Sequence, residues 1–70
     1  MASPITIFVN GHARQVPASI SLGELARELE LEPRHILVEL NLHALQRAEW
    51  PEQRLHHGDR IEFLRVAAGG

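Results

Sequence analysis

The chain has no cysteine. That excludes a disulfide staple, a redox-active thiol and a thiolate metal site. It also has no lysine, because all seven basic residues are arginines. No side-chain amine is therefore present for Schiff-base chemistry or for an isopeptide bond to the chain itself. Tyrosine is absent and the aromatics are Phe8, Trp50 and Phe63, so any core must be mainly aliphatic. No apolar run approaches the roughly 20 residues of a membrane-spanning helix. The opening Met1-Ala2-Ser3-Pro4 has neither a basic region nor a long apolar stretch, so no signal peptide and a cytoplasmic location are expected. A net charge of −2 disfavours nucleic acid as a partner.

What is there is a 70-residue chain with 44% apolar residues, enough for one small domain held by packing alone. Ile5-Thr6-Ile7-Phe8-Val9 is β-branched and aromatic and reads as a strand. Asn10-Gly11 follows, supplying two positive-φ positions for a hairpin turn, so His12–Val16 returns antiparallel and Pro17 ends it. Ser21 and Glu24 have the spacing of a capping box, and Ile20 and Leu25 that of a hydrophobic staple. Leu22, Leu25, Ala26 and Leu29 form one helical face, with Arg27, Glu28 and Glu30 on the other. Pro33 disfavours a helical Glu32, so the helix is expected to stop near Glu30 or Leu31.

Beyond the helix, residues 36–41 read as a third strand, with Ile36, Val38 and Leu40 inward and Leu37 and Glu39 outward. Ala44-Leu45-Gln46 reads as a short edge strand, and Arg47–Pro51 as a helical turn closed by proline. Leu55 is a lone apolar anchor. His57-Gly58-Asp59 is a turn, and Arg60–Val66 is the last strand, with Ile61 and Phe63 inward and Glu62, Leu64 and Val66 outward. The order β-β-α-β-β-β, with the last strand inserted parallel to the first, gives an α+β fold. It is a mixed sheet of about five strands clasping one helix, the β-grasp arrangement.

The joint spacing of several stretches carries a more specific resemblance. Val9-Asn10-Gly11, Val38-Glu39-Leu40-Asn41, Gln46-Arg47-Ala48-Glu49-Trp50, Gly58-Asp59-Arg60-Ile61-Glu62 and the terminal Ala67-Ala68-Gly69-Gly70 are those of the ubiquitin-like ThiS family. Its members are sulfur carriers of thiamin (thiazole) biosynthesis. The resemblance spans the chain after Pro4. One departure is Leu42, where the family often has glycine after the strand-3 asparagine, so the connection to Leu45 is expected to differ in shape.

The resemblance implies a division into a β-grasp domain over 1–66 and a flexible tail over 67–70. It implies that the Gly70 carboxylate is adenylated with ATP by a ThiF-like adenylating enzyme. A sulfur donor such as a cysteine desulfurase then helps convert it to a thiocarboxylate, which thiazole synthase (ThiG) consumes. On this reading the chain is a substrate of enzymes and not an enzyme, and it binds no cofactor itself. Ala67, Ala68 and Gly69 would thread the partners' active sites. Small residues suit that passage because a Cβ near the end would obstruct a close approach, and glycine reaches φ values others avoid.

Such a carrier needs a docking face. Phe8, Leu37, Leu64 and Val66, with Thr6, are expected on the sheet face that the helix does not cover, beside the exit of the tail. Arg65 stands next to them. Other features point elsewhere. His56 and His57 are adjacent and point apart, and His12, His35 and His43 are scattered, so no metal site is expected. Glu28, Glu30 and Glu32 read as a solvated acidic face or a meeting point for a basic partner. Trp50 is expected to pack over the core edge, and Asp59 to be a turn residue. Two alternatives share the fold: a carrier for molybdopterin synthesis or tRNA thiolation, and a TGS-like RNA-binding β-grasp module, which the acidic balance disfavours.

Overall fold

A computed structural model describes residues 3–66 of the chain. Two hairpins and one helix build it. Strand β1 (Ile5–Val9) pairs antiparallel with β2 (His12–Val16), Val9 facing His12 across the two-residue turn Asn10-Gly11. Both turn residues have positive φ, 50° and 84°, as a tight right-twisted hairpin requires. Strand β3 (Ile36–Leu40) pairs antiparallel with β4 (His43–Leu45) across Asn41-Leu42, whose φ values are 51° and 72°. Strand β5 (Arg60–Arg65) lies between the hairpins, parallel to β1 and antiparallel to β3. The sheet order is β2-β1-β5-β3-β4. The expected β-grasp arrangement is thus present.

At Leu42 the connection is a two-residue turn that places leucine in the left-handed region that glycine occupies freely. Because the turn is that short, Asn41 leaves the third strand, and the edge strand begins at His43 rather than Ala44. The last strand ends at Arg65, one residue before the expected Val66.

Helix α1 (Leu22–Glu28) starts as its sequence dictates. The Ser21 hydroxyl accepts the Glu24 N–H at 3.1 Å, and the Glu24 carboxylate accepts the Ser21 N–H at 2.9 Å. These bonds satisfy otherwise orphaned donors at the first turn. The helix stops earlier than the proline at 33 suggested. Glu30 takes φ 57°, its N–H donates to the Arg27 carbonyl, and the Leu31 N–H donates to the Ala26 carbonyl. That is a Schellman closure, with glutamate where glycine is usual. Two short 3-10 helices follow, Pro33–His35 and Arg47–Glu52. The second runs through Pro51 instead of closing at it, because a 3-10 turn accepts proline's fixed φ and loses only one hydrogen bond.

The core lies between α1 and the inner face of the sheet. Ile7, Leu22, Leu25, Val38, Leu55 and Ile61 are fully buried, and Trp50 and Phe63 meet edge to face, with ring centroids 6.4 Å apart. Burial of each such side chain is worth about 1.5–3 kcal/mol, and this aliphatic set replaces the missing disulfide. Leu55 is the anchor expected of it: its N–H donates to the Ile20 carbonyl, while the Leu22 N–H donates to Gln53. The entry of α1 is thereby tied to the segment that leads toward β5, with Ser21 bridging Arg54.

Candidate functional site

The candidate site is the C-terminal end of β5 and the outward face of the sheet around it. Alternation along β5 settles which residues face out: Ile61 and Phe63 are buried, while Arg60, Glu62 and Leu64 are exposed. The antiparallel register with β3 places Leu64 directly opposite Leu37, with exposures of 46% and 57%. Val66 follows at 41%, and its N–H donates to the His35 carbonyl at 2.8 Å. This bond fastens the end of β5 to the residue that precedes β3. Leu37, Leu64 and Val66 therefore form an apolar strip at the point where the chain leaves the sheet, as the alternation implied.

Phe8 shares that face but does not join the strip. The parallel register sets Phe8 opposite Arg60, and Leu64 lies four residues farther along β5. At the usual rise of about 3.3 Å per residue the separation along the strand is about 13 Å. Phe8 is half-buried, with the Arg60 guanidinium 5.1 Å from its ring centroid, so its exposed face is occupied by its own neighbour. Between the two apolar positions, Glu39 and Glu62 face each other across β3 and β5. Like charges in direct cross-strand register are mildly destabilising. Neither has an ion-pair partner among the described residues.

β5 is also stitched to both hairpins by asparagine side chains, which inspection of the sequence missed. Asn10 accepts the Phe63 N–H at 2.8 Å and donates to the Phe63 carbonyl at 3.3 Å. Its amide thus imitates one more residue of β1. On the other side, Asn41 accepts the Arg60 N–H at 2.9 Å and donates to Asp59 Oδ1 at 3.0 Å. Asp59 Oδ2 accepts the His56 N–H at 2.7 Å, which makes Asp59 the turn residue it was expected to be. The local signal for these bonds was the repeated strand-asparagine-turn pattern, but the partner strand is far away in sequence.

The histidines serve elsewhere. His57 Nδ1 accepts the Thr6 N–H at 3.1 Å, holding the start of β1 to the turn before β5. Among the described residues no three His, Cys, Asp or Glu side chains gather into a metal-binding group. Glu28 pairs with Arg14 and Glu32 with Arg34, each at 3.6 Å, so much of the acidic stretch is matched by the chain's own arginines. Trp50 is 4% exposed and packs where expected, over the core edge. Ala67, Ala68, Gly69 and Gly70 lie outside the described residues.

Residues 7–70 match the model of the ThiS family. This chain belongs to the ThiS family. The family is one of small ubiquitin-like sulfur carriers linked to thiamin biosynthesis, not of catalysts, and the resemblance drawn from the residues is thereby shown. Among solved structures, the thiamine biosynthesis protein ThiS from Geobacter metallireducens superposes with a TM-score of 0.81. It is 30% identical, and the match covers 94% of this chain and all of that one. A thiazole synthase of Paramagnetospirillum magneticum is 28% identical over 64 residues, which are 91% of this chain. The ThiS-family chain spans only about a fifth, 20%, of the length of that relative.

Proposed function

We propose that this ThiS-family chain carries sulfur for thiazole formation in thiamin biosynthesis as a thiocarboxylate on Gly70. One observation carries the reading: the family match runs through the terminal Gly69-Gly70 rather than ending with the fold. The chemistry proceeds in three displacements. A Gly70 carboxylate oxygen attacks the α-phosphorus of ATP in a ThiF-like adenylating enzyme, and pyrophosphate leaves. The terminal sulfur of a persulfide on a donor such as a cysteine desulfurase then displaces AMP from the acyl-adenylate, giving an acyl disulfide. A reducing thiol attacks the donor-side sulfur of that S–S bond, so that the Gly70 thiocarboxylate leaves and the thiol is oxidised to a disulfide. Replacing a poor leaving group by a good one is what makes the second step feasible. Ala67, Ala68 and Gly69 are the segment that enters the partner sites, and 1–66 is the holder. The similarity to a protein named thiazole synthase supports that enzyme as the acceptor. The cytoplasm is the compartment proposed for this exchange. Among the described residues no helix is long and apolar enough to cross a membrane.

Leu37, Leu64 and Val66 form the docking strip of this proposal, with Phe8 at its far border. A partner that covers the strip also meets Glu39 and Glu62, and a cation on it would relieve their repulsion. The decisive test is intact mass after incubation with ATP, a ThiF-like enzyme and a sulfur donor. The expected result is exchange of one oxygen for sulfur, mapped to Gly70. A chain lacking Gly70 that still gained sulfur would sink the proposal. For the strip, Leu64→Asp is expected to weaken binding of the adenylating enzyme while the fold survives, and unchanged affinity would remove the strip from it.

A further inference from the structure

A second concave surface lies on the helix side of the molecule, away from the outward sheet face. It is a cavity of about 300 Å³ between α1 and the 3-10 helix Arg47–Glu52. Ala26, Leu31, Pro33 and Trp50 give it apolar walls, and Arg27 and Arg47 also line it. No acidic residue does. The acids elsewhere on the surface are partly spent on Arg14, Arg34 and Arg54, whereas neither Arg27 nor Arg47 has an ion pair among the described residues. A Cβ built on Gly23 would stand 3.2 Å from the Pro51 backbone, so α1 and the 3-10 helix pack closely at this wall.

We infer that this cavity is a docking site for an acidic segment of a partner protein, in which an aliphatic side chain fills the apolar hollow and flanking carboxylates meet Arg27 and Arg47. Charge complementarity selects this occupant. Two arginines with no ion pair among the described residues, around an apolar hollow sized for one or two side chains, favour an anion joined to an aliphatic group. Because the cavity and the Leu37–Leu64 strip lie on opposite sides of the core, the chain can hold one protein on each side at once. The inference stands independently of the sulfur-carrier reading.

Trp50 is the only tryptophan, so its fluorescence reports on the cavity directly. The probe is a blocked peptide of alternating glutamate and leucine, titrated into the intact chain alongside its glutamine-for-glutamate counterpart. Expected results are a saturable Trp50 signal, amide NMR shifts centred on Ala26 and Leu31, and loss of affinity with added salt. The amide peptide and an Arg27→Glu/Arg47→Glu double variant should each bind about tenfold more weakly. Arg27→Gln/Arg47→Gln, which adds no charge, guards against misfolding of the reversed variant and should also weaken binding. Equal binding of the two peptides, shifts centred on Leu37 and Leu64, or no saturable signal would each overturn the inference. So would a Trp50 signal that depends on chain concentration without peptide, which would make a second copy's acidic stretch the occupant.

Discussion

The two hairpins make the same turn with different residues. Asn10-Gly11 and Asn41-Leu42 both join antiparallel strands in two residues, with every φ positive. In each, the asparagine turns its amide onto β5, from the β1 side in one case and from the β3 side in the other. They differ at the second position. Gly11 adopts φ 84° without steric cost, and Leu42 is held at 72° with its side chain almost wholly in water. Nothing in its packing compensates the strain, so the fold around it must. What the pair teaches is that the asparagine, not the residue after it, fixes the turn here: its bonds to β5 hold the hairpin in register whether or not glycine follows. Those same bonds fix the strand that leads to the tail.

Substitutions at the four turn positions test that conclusion. Asn10→Gly keeps the backbone conformation accessible while removing both bonds to Phe63. It is expected to lower stability by about 2 kcal/mol in denaturant melts, since both groups lie in a half-buried part of the ladder. Gly11→Leu makes the first turn a copy of the second. A loss of about 1–2 kcal/mol is expected from the left-handed leucine, with the β1–β2 register unchanged by NMR. A loss near zero would show that the left-handed cost is not felt in this hairpin. The reverse exchange, Leu42→Gly, is expected to raise stability by about 1 kcal/mol. Asn41→Gly should cost about 1 kcal/mol, less than Asn10→Gly, because its bonds are exposed. Equal losses at Asn10 and Asn41 would mean that burial does not set their difference.

The smallest effect lies outside both turns and separates them from the helix cap. The Glu24 carboxyl is held below its ordinary value of 4.5, chiefly by the backbone N–H of Ser21, then by the Ser21 side chain, with smaller help from Arg54 and Arg27. A depressed folded-state pKa contributes stability above the unfolded value and loses it as pH falls through the folded one. Glu24→Gln should therefore be slightly less stable than the parent at neutral pH. The difference should close below pH 4.5, while the effects of Asn10→Gly and Leu42→Gly persist.

Much of this protein was legible in order along the chain. The Asn-Gly turn, the capping box, the inward alternation of Ile61 and Phe63, and the anchor at Leu55 are all local patterns with local causes. The spacing of the family stretches carried the family membership in the same way. Boundaries were less legible. Helix α1 ends at Glu28 and is closed by a left-handed Glu30, a position that propensity assigns to glycine, so the sequence points to Pro33 for the stop instead. The candidate strip was found in part: Leu37 and Leu64 follow from alternation, whereas the separation of Phe8 depends on how far β1 is offset along β5.

The amino-acid sequence by itself determined which residues turn, cap, alternate and face the core, because those choices are decided within a few residues by φ preferences, capping and periodicity. Only the tertiary structure decided what lies across from what. The register of β5 pairs Leu37 with Leu64 and Glu39 with Glu62 and stacks Arg60 on Phe8. The packing of α1 on Arg47–Glu52 opens the arginine-lined cavity. Such pairings join segments distant in the chain, and their geometry is set by the shared core that all of them help to fill.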